Sequence, residues 1–143
     1  MIFYMEYVRN FPELRLMPSV KVKMVIYKGD INKYFKKNNL VVQKEFNLKG
    51  LCLYTDNTIY IMAEDRNDLL VCLLHETTHA VNMYLNIMGV ECLDYDNDEI
   101  YVHLLEWFQT QVVNFYDGYK KVCKGRKKFN NKRHIQRNSK SRL

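Results

Sequence analysis

Several common signatures are missing from this 143-residue sequence. Its four cysteines form no Cys-x-x-Cys pair, which argues against a cysteine-only zinc site or a dithiol redox motif and favours reduced thiols in a cytosol. Charged residues interrupt the apolar N-terminus before a secretory signal can form. No segment reaches the roughly 18 uninterrupted apolar residues of a membrane span. We therefore predict a cytoplasmic protein with no membrane partner.

Acidic residues are absent from the last part of the chain. Residues 120–143 hold 11 of the 22 Lys and Arg residues and no Asp or Glu, so residues 1–119 carry 11 bases against all 16 acids. The hydrophobic fraction of 48%, with only two Pro and five Gly, is typical of one globular domain. We predict a folded domain over residues 1–119 and a basic tail over residues 120–143 that is disordered or a frayed helix.

The first half of the chain carries local signals for a helix and several strands. Residues 20–27 (VKVKMVIY) alternate Lys with apolar residues, which predicts a strand with one solvent-facing side. Asp30 is placed to cap a short helix in INKYFKKN, residues 31–38. The runs LKGLCLYT and TIYIMAE are separated only by Asp56 and Asn57, which predicts a β-hairpin.

The second half predicts two long helices. Asn67 or Asp68 can cap the first, which runs to about Met88 and is stopped by Gly89. Asp96 or Asp98 can cap the second, from Glu99 to about Tyr116. The fold class predicted from this order is α+β, with a small, mostly antiparallel sheet packed on the two long helices.

The first long helix contains LLHETTHAVNMYL, residues 73–85, in which His75 and His79 are four residues apart. Side chains at this spacing lie on one face of a helix, so both imidazoles can bind one Zn²⁺ ion. Glu76 projects differently and can approach a water at the metal without being a ligand. The apolar residues before the motif predict a buried helix, in which unpartnered polar side chains are unfavourable. The alternative is a pair of structural histidines that bind no metal.

A catalytic zinc site needs a third protein ligand and one open position. The second helix offers Glu99, His103 and Glu106, spaced so that they lie largely on one face. We predict Glu99 as the ligand. His103 and Glu106 are the alternatives for this ligand. Otherwise His103 could hydrogen-bond to a ligand or, like Tyr95 or Tyr101, donate to the developing oxyanion, and Glu106 could accept from a ligand imidazole or be a solvated charge.

HETTH followed by DNDEIYVHLLEW resembles the zincin metallopeptidases of the glutamate-ligand type, and above all the minimal zincin-like domains of bacteriophages and mobile elements. The resemblance covers about residues 50–110. It implies hydrolysis of a peptide or protein substrate, with TIYIMA (residues 58–63) as the strand that borders the cleft and pairs with extended substrate. For a phage protein, the compartment would be the host cytoplasm.

Other classes of protein fit the sequence less well. Peptide deformylases carry the same motif with a cysteine ligand, but their sequence context is absent, and Cys52 and Cys72 are better interpreted as core residues. The His-x-Glu and Pro-Cys-x-x-Cys pair of a nucleobase deaminase is also absent. The main alternative is a non-catalytic zincin-fold module that contacts nucleic acid non-specifically through residues 120–143.

Overall fold

The computed structural model describes residues 6–11, 20–40, 49–90 and 98–140, and describes side chains within 20–40, 49–90 and 98–133. The elements in chain order are β1 (Glu6–Phe11), β2 (Lys21–Tyr27), α1 (Ile31–Lys37), β3 (Gly50–Thr55), β4 (Thr58–Glu64), α2 (Leu69–Ile87) and α3 (Glu99–Lys140). The strands form one sheet against which α2 and α3 pack, so the predicted α+β class is confirmed.

The sheet is mixed, with the strand order β1-β2-β4-β3. β1 pairs with β2 and β3 pairs with β4 in antiparallel fashion, whereas β2 and β4 are parallel, with Met24 opposite Ile61. The prediction of a mostly antiparallel sheet is therefore confirmed. The sequence patterns predict neither β1 nor the insertion of β4 between β2 and β3.

The position of β4 corrects one expectation drawn from the zincin resemblance. Residues 58–63 were expected at the border of a cleft, where a strand can pair with substrate. However, β4 is hydrogen-bonded to β2 on one side and to β3 on the other, so its backbone groups are already paired. Within the described residues, the strand with a free outer edge beside the motif helix is β3.

The hairpin between β3 and β4 forms as predicted. Asp56 and Asn57 have φ values of 51° and 53°, so both central residues of the turn adopt the left-handed conformation. Asn and Asp tolerate this conformation better than other non-glycine residues, and two such residues match the twist of adjacent strands. The turn sets the register, with Thr55 opposite Thr58.

Both faces of the sheet are covered. Val22, Met24 and Ile26 pack with α2 and α3 in the larger core, whereas Val25 and Tyr27 pack with α1 on the opposite face. The predicted solvent-facing side of β2 is therefore limited to its first residues, because α1 covers the remainder. The α1 prediction is confirmed: Asp30 Oδ1 accepts a hydrogen bond from the amide of Asn32 at 2.9 Å, and Ile31, Tyr34 and Phe35 are buried.

The two long helices begin where the sequence predicts, but only α2 ends there. Asp68 is the N-cap of α2, although its side chain makes no capping bond, and Gly89 follows the helix with a φ of 79°. Asp98 precedes α3, and its carbonyl accepts from the amide of Val102 at 2.9 Å. Asp96 lies outside the described residues. The predicted end of α3 near Tyr116 is wrong, since the helix continues to Lys140.

The packed part of α3 ends soon after residue 119. Phe108, Val112, Phe115 and Tyr119 are buried in the larger core, and Cys123 packs against its margin. The hydroxyl of Tyr119 donates to Asp65 Oδ2 at 2.6 Å, and Lys28 Nζ lies 3.2 Å from the same oxygen. Among the described helices, none is both long enough and apolar enough to cross a membrane.

Candidate active site

His75 and His79 lie next to each other on the exposed face of α2. Their ring centroids are 5.1 Å apart and the ring planes meet at 72°. Both side chains are exposed, as is Val71 one turn earlier, so α2 is not buried on all sides as its apolar sequence suggests. Because neither imidazole is buried, core packing does not explain the pair. Their spacing and exposure are compatible with two ligands of one metal ion.

Glu76 is the buried member of the motif. It is only 9% exposed and lies between α2 and β3. The absence of a side chain at Gly50 makes room for it, since a Cβ there would lie 2.9 Å from Glu76 Oε1 and 3.3 Å from the carbonyl oxygen of Met62. The side chain therefore fills a slot between the helix and the edge strand.

The carboxylate of Glu76 also contacts the free edge of β3. The backbone amide of Cys52 donates a hydrogen bond to it. In a two-residue hairpin, Thr55 and Thr58 form the hydrogen-bonded closing pair, so Cys52, three residues earlier, falls in a non-hydrogen-bonded pair with Ile61. Its amide consequently points away from β4, and Glu76 satisfies it at the outer edge of the sheet.

The surroundings of Glu76 make its carboxylate more basic. Burial raises the pKa of Glu76, and the neighbouring His75 and His79 and the amide of Cys52 oppose that rise only in part. A carboxylate with a raised pKa binds a proton more readily near neutral pH, which is the property that a general base requires. The electrostatics of the site therefore fit the role that the sequence predicts for Glu76.

Cys52 behaves as a core residue rather than as a metal ligand. Its thiol donates to Met83 Sδ at 3.5 Å, and its side chain packs against the larger core. Burial and the charge of Glu76 raise the pKa of Cys52 to about 12, which disfavours the thiolate that metals bind. Cys72 also packs against the core, and burial raises its pKa. Both cysteines thus agree with the interpretation made from the sequence.

The structure does not bring Glu99 to the histidine pair. Tyr119 bonds to Asp65 just before α2, and Phe108 contacts Tyr84 near the end of α2 with ring centroids 6.5 Å apart, so the two helices are antiparallel. Along α3, Glu99 precedes Phe108 by about 13 Å, and along α2, His79 precedes Tyr84 by about 7 Å, at about 1.5 Å per residue. Because the helices are antiparallel, these two displacements from the Tyr84–Phe108 contact point in opposite directions. The two residues are therefore separated by about 20 Å along the helices.

The other predicted site residues on α3 also lie apart from the motif. His103 Nε2 contacts Glu99 Oε2 at 3.3 Å, and both side chains are about three-quarters exposed. Glu106 is exposed and Tyr101 is half-buried against the core, while Tyr95 lies outside the described residues. Across the described residues, no three His, Cys, Asp or Glu side chains are grouped to hold a metal ion.

Sequence reasoning did not identify Gly50 or the amide of Cys52 as parts of this site. A glycine at the start of a strand is only a weak indication of a functional site. A backbone amide is common to every residue except proline, so the sequence cannot single out the amide of Cys52. Comparisons of the chain with known protein families, with curated proteins and with solved structures found no match. The relation to the zincins is therefore still a prediction from the motif and its surroundings.

Proposed function

We propose that this protein is a small zinc-dependent metallopeptidase in which His75 and His79 bind the metal and Glu76 is the general base. One observation carries the proposal: an exposed histidine pair neighbours the buried Glu76, whose carboxylate is held at the edge of β3 that is unpaired among the described residues. Two neutral imidazoles at this spacing are a donor set that suits zinc. A bound zinc ion would supply Lewis acidity and lower the pKa of water at the site.

Glu76 would take a proton from the attacking water and transfer it to the leaving amine. Its raised pKa favours the first transfer near neutral pH, and the protonated acid can then serve as the donor. The hydrogen bond from Cys52 orients the carboxylate at the edge of the sheet. Because this bond stabilises the charged form, it also limits how far burial can raise the pKa.

The free edge of β3 would position an extended peptide. A peptide can add to an unpaired strand through main-chain hydrogen bonds. The amide of Cys52 is already bonded to Glu76, so the outward-facing backbone groups of Tyr54, two residues further along the strand, would pair with the peptide. This assigns to β3 the role that the sequence resemblance had given to residues 58–63. Glu99, the third ligand predicted from the sequence, pairs with His103 and is distant from His79.

Glu76→Gln tests the proposal directly. Wild type and variant should each be incubated with a diverse peptide library in the presence of zinc, and cleavage should be measured by mass spectrometry. We expect the variant to keep its zinc and lose nearly all cleavage, because both histidines are intact while the base is gone. Equal cleavage by both proteins would disprove the role of Glu76. Absence of cleavage by wild type would favour the non-catalytic binding module.

A further inference from the structure

The last part of α3 extends beyond the packed body as a continuous helix. Of residues 120–133, all are exposed except Cys123, which is half-buried. The helix continues to Lys140, so this extension, residues 120–140, is about 30 Å long at 1.5 Å per residue. Neither the sheet nor α2 packs along it after Cys123 within the described residues.

The extension is strongly basic on all sides. Residues 120–133 contain eight Lys and Arg residues and no acid. At about 100° per residue, Lys121 and Arg126 are rotated about 100° and 240° from Lys120 around the helix axis. Positive charge is therefore distributed around the whole circumference of the exposed helix.

We propose that residues 120–140 form a binding surface for double-stranded DNA and enter its major groove as a rigid helix. The major groove of B-form DNA is about 12 Å wide and accepts an α-helix, which has a diameter of about 10–12 Å. A helix in the groove has phosphates on both flanks, which suits charge on all its sides. The length of the extension is close to one turn of the duplex, about 34 Å.

Other anionic partners suit this surface less well. A membrane-bound helix lies in the interface with one apolar face, but Val122 and Phe129 are the only large apolar side chains among residues 120–133. Single strands need aromatic residues on which bases stack, and Phe129 is already covered by Arg133, whose Cζ lies 4.4 Å from the ring centroid. The major groove of A-form RNA is too narrow for side chains to read.

The test uses the full chain and fluorescence anisotropy with a labelled 24-base-pair DNA duplex at several salt concentrations. We expect the DNA duplex to bind at least about tenfold more tightly than an RNA duplex or a single strand of the same sequence. A plot of log K against the logarithm of the salt concentration should have a slope of about −0.9 for each phosphate contact. Lys127→Gln with Lys128→Gln should reduce the slope by about 2. Lys33→Gln with Lys36→Gln on α1 removes the same charge elsewhere and should leave the slope unchanged.

Substitutions at Gly125 distinguish the contribution of a continuous helix to DNA binding from the contribution of positive charge alone. Gly125 lies in the helix with nothing within 4 Å of an added Cβ, so Ala fits there, whereas Pro clashes with the preceding turn of the helix; neither substitution changes the charge. Gly125→Pro should weaken duplex binding about tenfold or more by breaking the helix, whereas Gly125→Ala should maintain or strengthen it. Unchanged binding by Gly125→Pro, equal affinity for RNA, or preference for phosphatidylserine vesicles or polyglutamate would each overturn the proposal.

Discussion

Gly50 lies directly against the carboxylate of Glu76: a Cβ added to Gly50 would be 2.9 Å from Oε1 and 3.1 Å from Cγ. Real Cβ atoms essentially never approach another atom to 2.9 Å, so a larger residue at position 50 must shift either the carboxylate of Glu76 or the edge strand. The edge strand thus holds Glu76 in two ways, through the missing side chain of Gly50 and through the amide of Cys52. The position of the base depends on β3 as much as on α2.

Gly50→Ala should therefore impair catalysis more than folding. We expect peptide cleavage to fall at least about tenfold, because a shift of about 1 Å in a catalytic group can have that effect. The change in the free energy of unfolding should be below about 1–2 kcal/mol, since crowding is partly offset by the lower chain entropy of Ala. Kinetics and urea denaturation measure the two effects. Gly125→Ala is the control, and normal cleavage by Gly50→Ala would show that Glu76 tolerates displacement.

Zinc binding should depend on His79 and not on the exposed acids of α3 in general. Metal analysis should find close to one zinc per wild-type chain, falling to roughly a tenth or less in His79→Ala because one ligand of a small set is lost. Glu99→Gln tests the predicted third ligand, with Glu106→Gln as its matched control. A loss of zinc in Glu99→Gln alone would show that Glu99 reaches the site. Undiminished zinc in His79→Ala would exclude the histidine pair.

Two buried tyrosines should respond oppositely to removal of the hydroxyl group. The hydroxyl of Tyr119 bonds to the Asp65 carboxylate at 2.6 Å, so Tyr119→Phe should lower the free energy of unfolding by about 1.5–3 kcal/mol. The hydroxyl of Tyr84 is buried without a hydrogen-bond partner among the described residues. Tyr84→Phe should therefore raise the free energy of unfolding by about 1 kcal/mol. Thermal or urea denaturation measures both. Stabilisation by Tyr119→Phe would show that this hydrogen bond has no net value.

The Cys52 thiol should resist alkylation in the folded protein. With a pKa of about 12, only about a thousandth of it is thiolate at pH 9, whereas an ordinary thiol is mostly ionised there. Iodoacetamide at pH 9, followed by peptide mass spectrometry, should leave Cys52 unmodified. The same treatment in guanidinium chloride should label it fully. Rapid labelling of the folded chain would mean that β3 opens or that the thiol is not buried as described.

Local signals in the sequence predict several elements correctly. The Asp30 cap, the Asp56-Asn57 turn and the Gly89 stop each act within a few residues, so neighbouring amino acids are sufficient to define them. The histidine pair is predictable for the same reason, because four-residue spacing on a helix fixes two side chains on one face. These features carry most of the proposed metal-binding face.

Features that depend on distant residues were not predictable. The insertion of β4 beside β2 depends on packing across the whole sheet, and the separation of Glu99 from His79 depends on how α3 aligns with α2. Low apolar content suggested disorder or a frayed helix after Lys120. However, Lys, Arg and Gln are good helix formers, and the segment has one glycine, Gly125, and no proline. Helical propensity and burial are different properties: the residues after Lys120 have helical propensity but lack the apolar side chains needed for burial.

The 42-residue length of α3 has a hydrodynamic consequence. At about 1.5 Å per residue the helix spans roughly 63 Å, more than four times the radius of gyration of about 14 Å that a compact chain of this size would have. A particle with such a projection diffuses and sediments more slowly than a sphere of equal mass. Gel filtration calibrated with globular standards would therefore report an apparent mass above 17.3 kDa for a single chain.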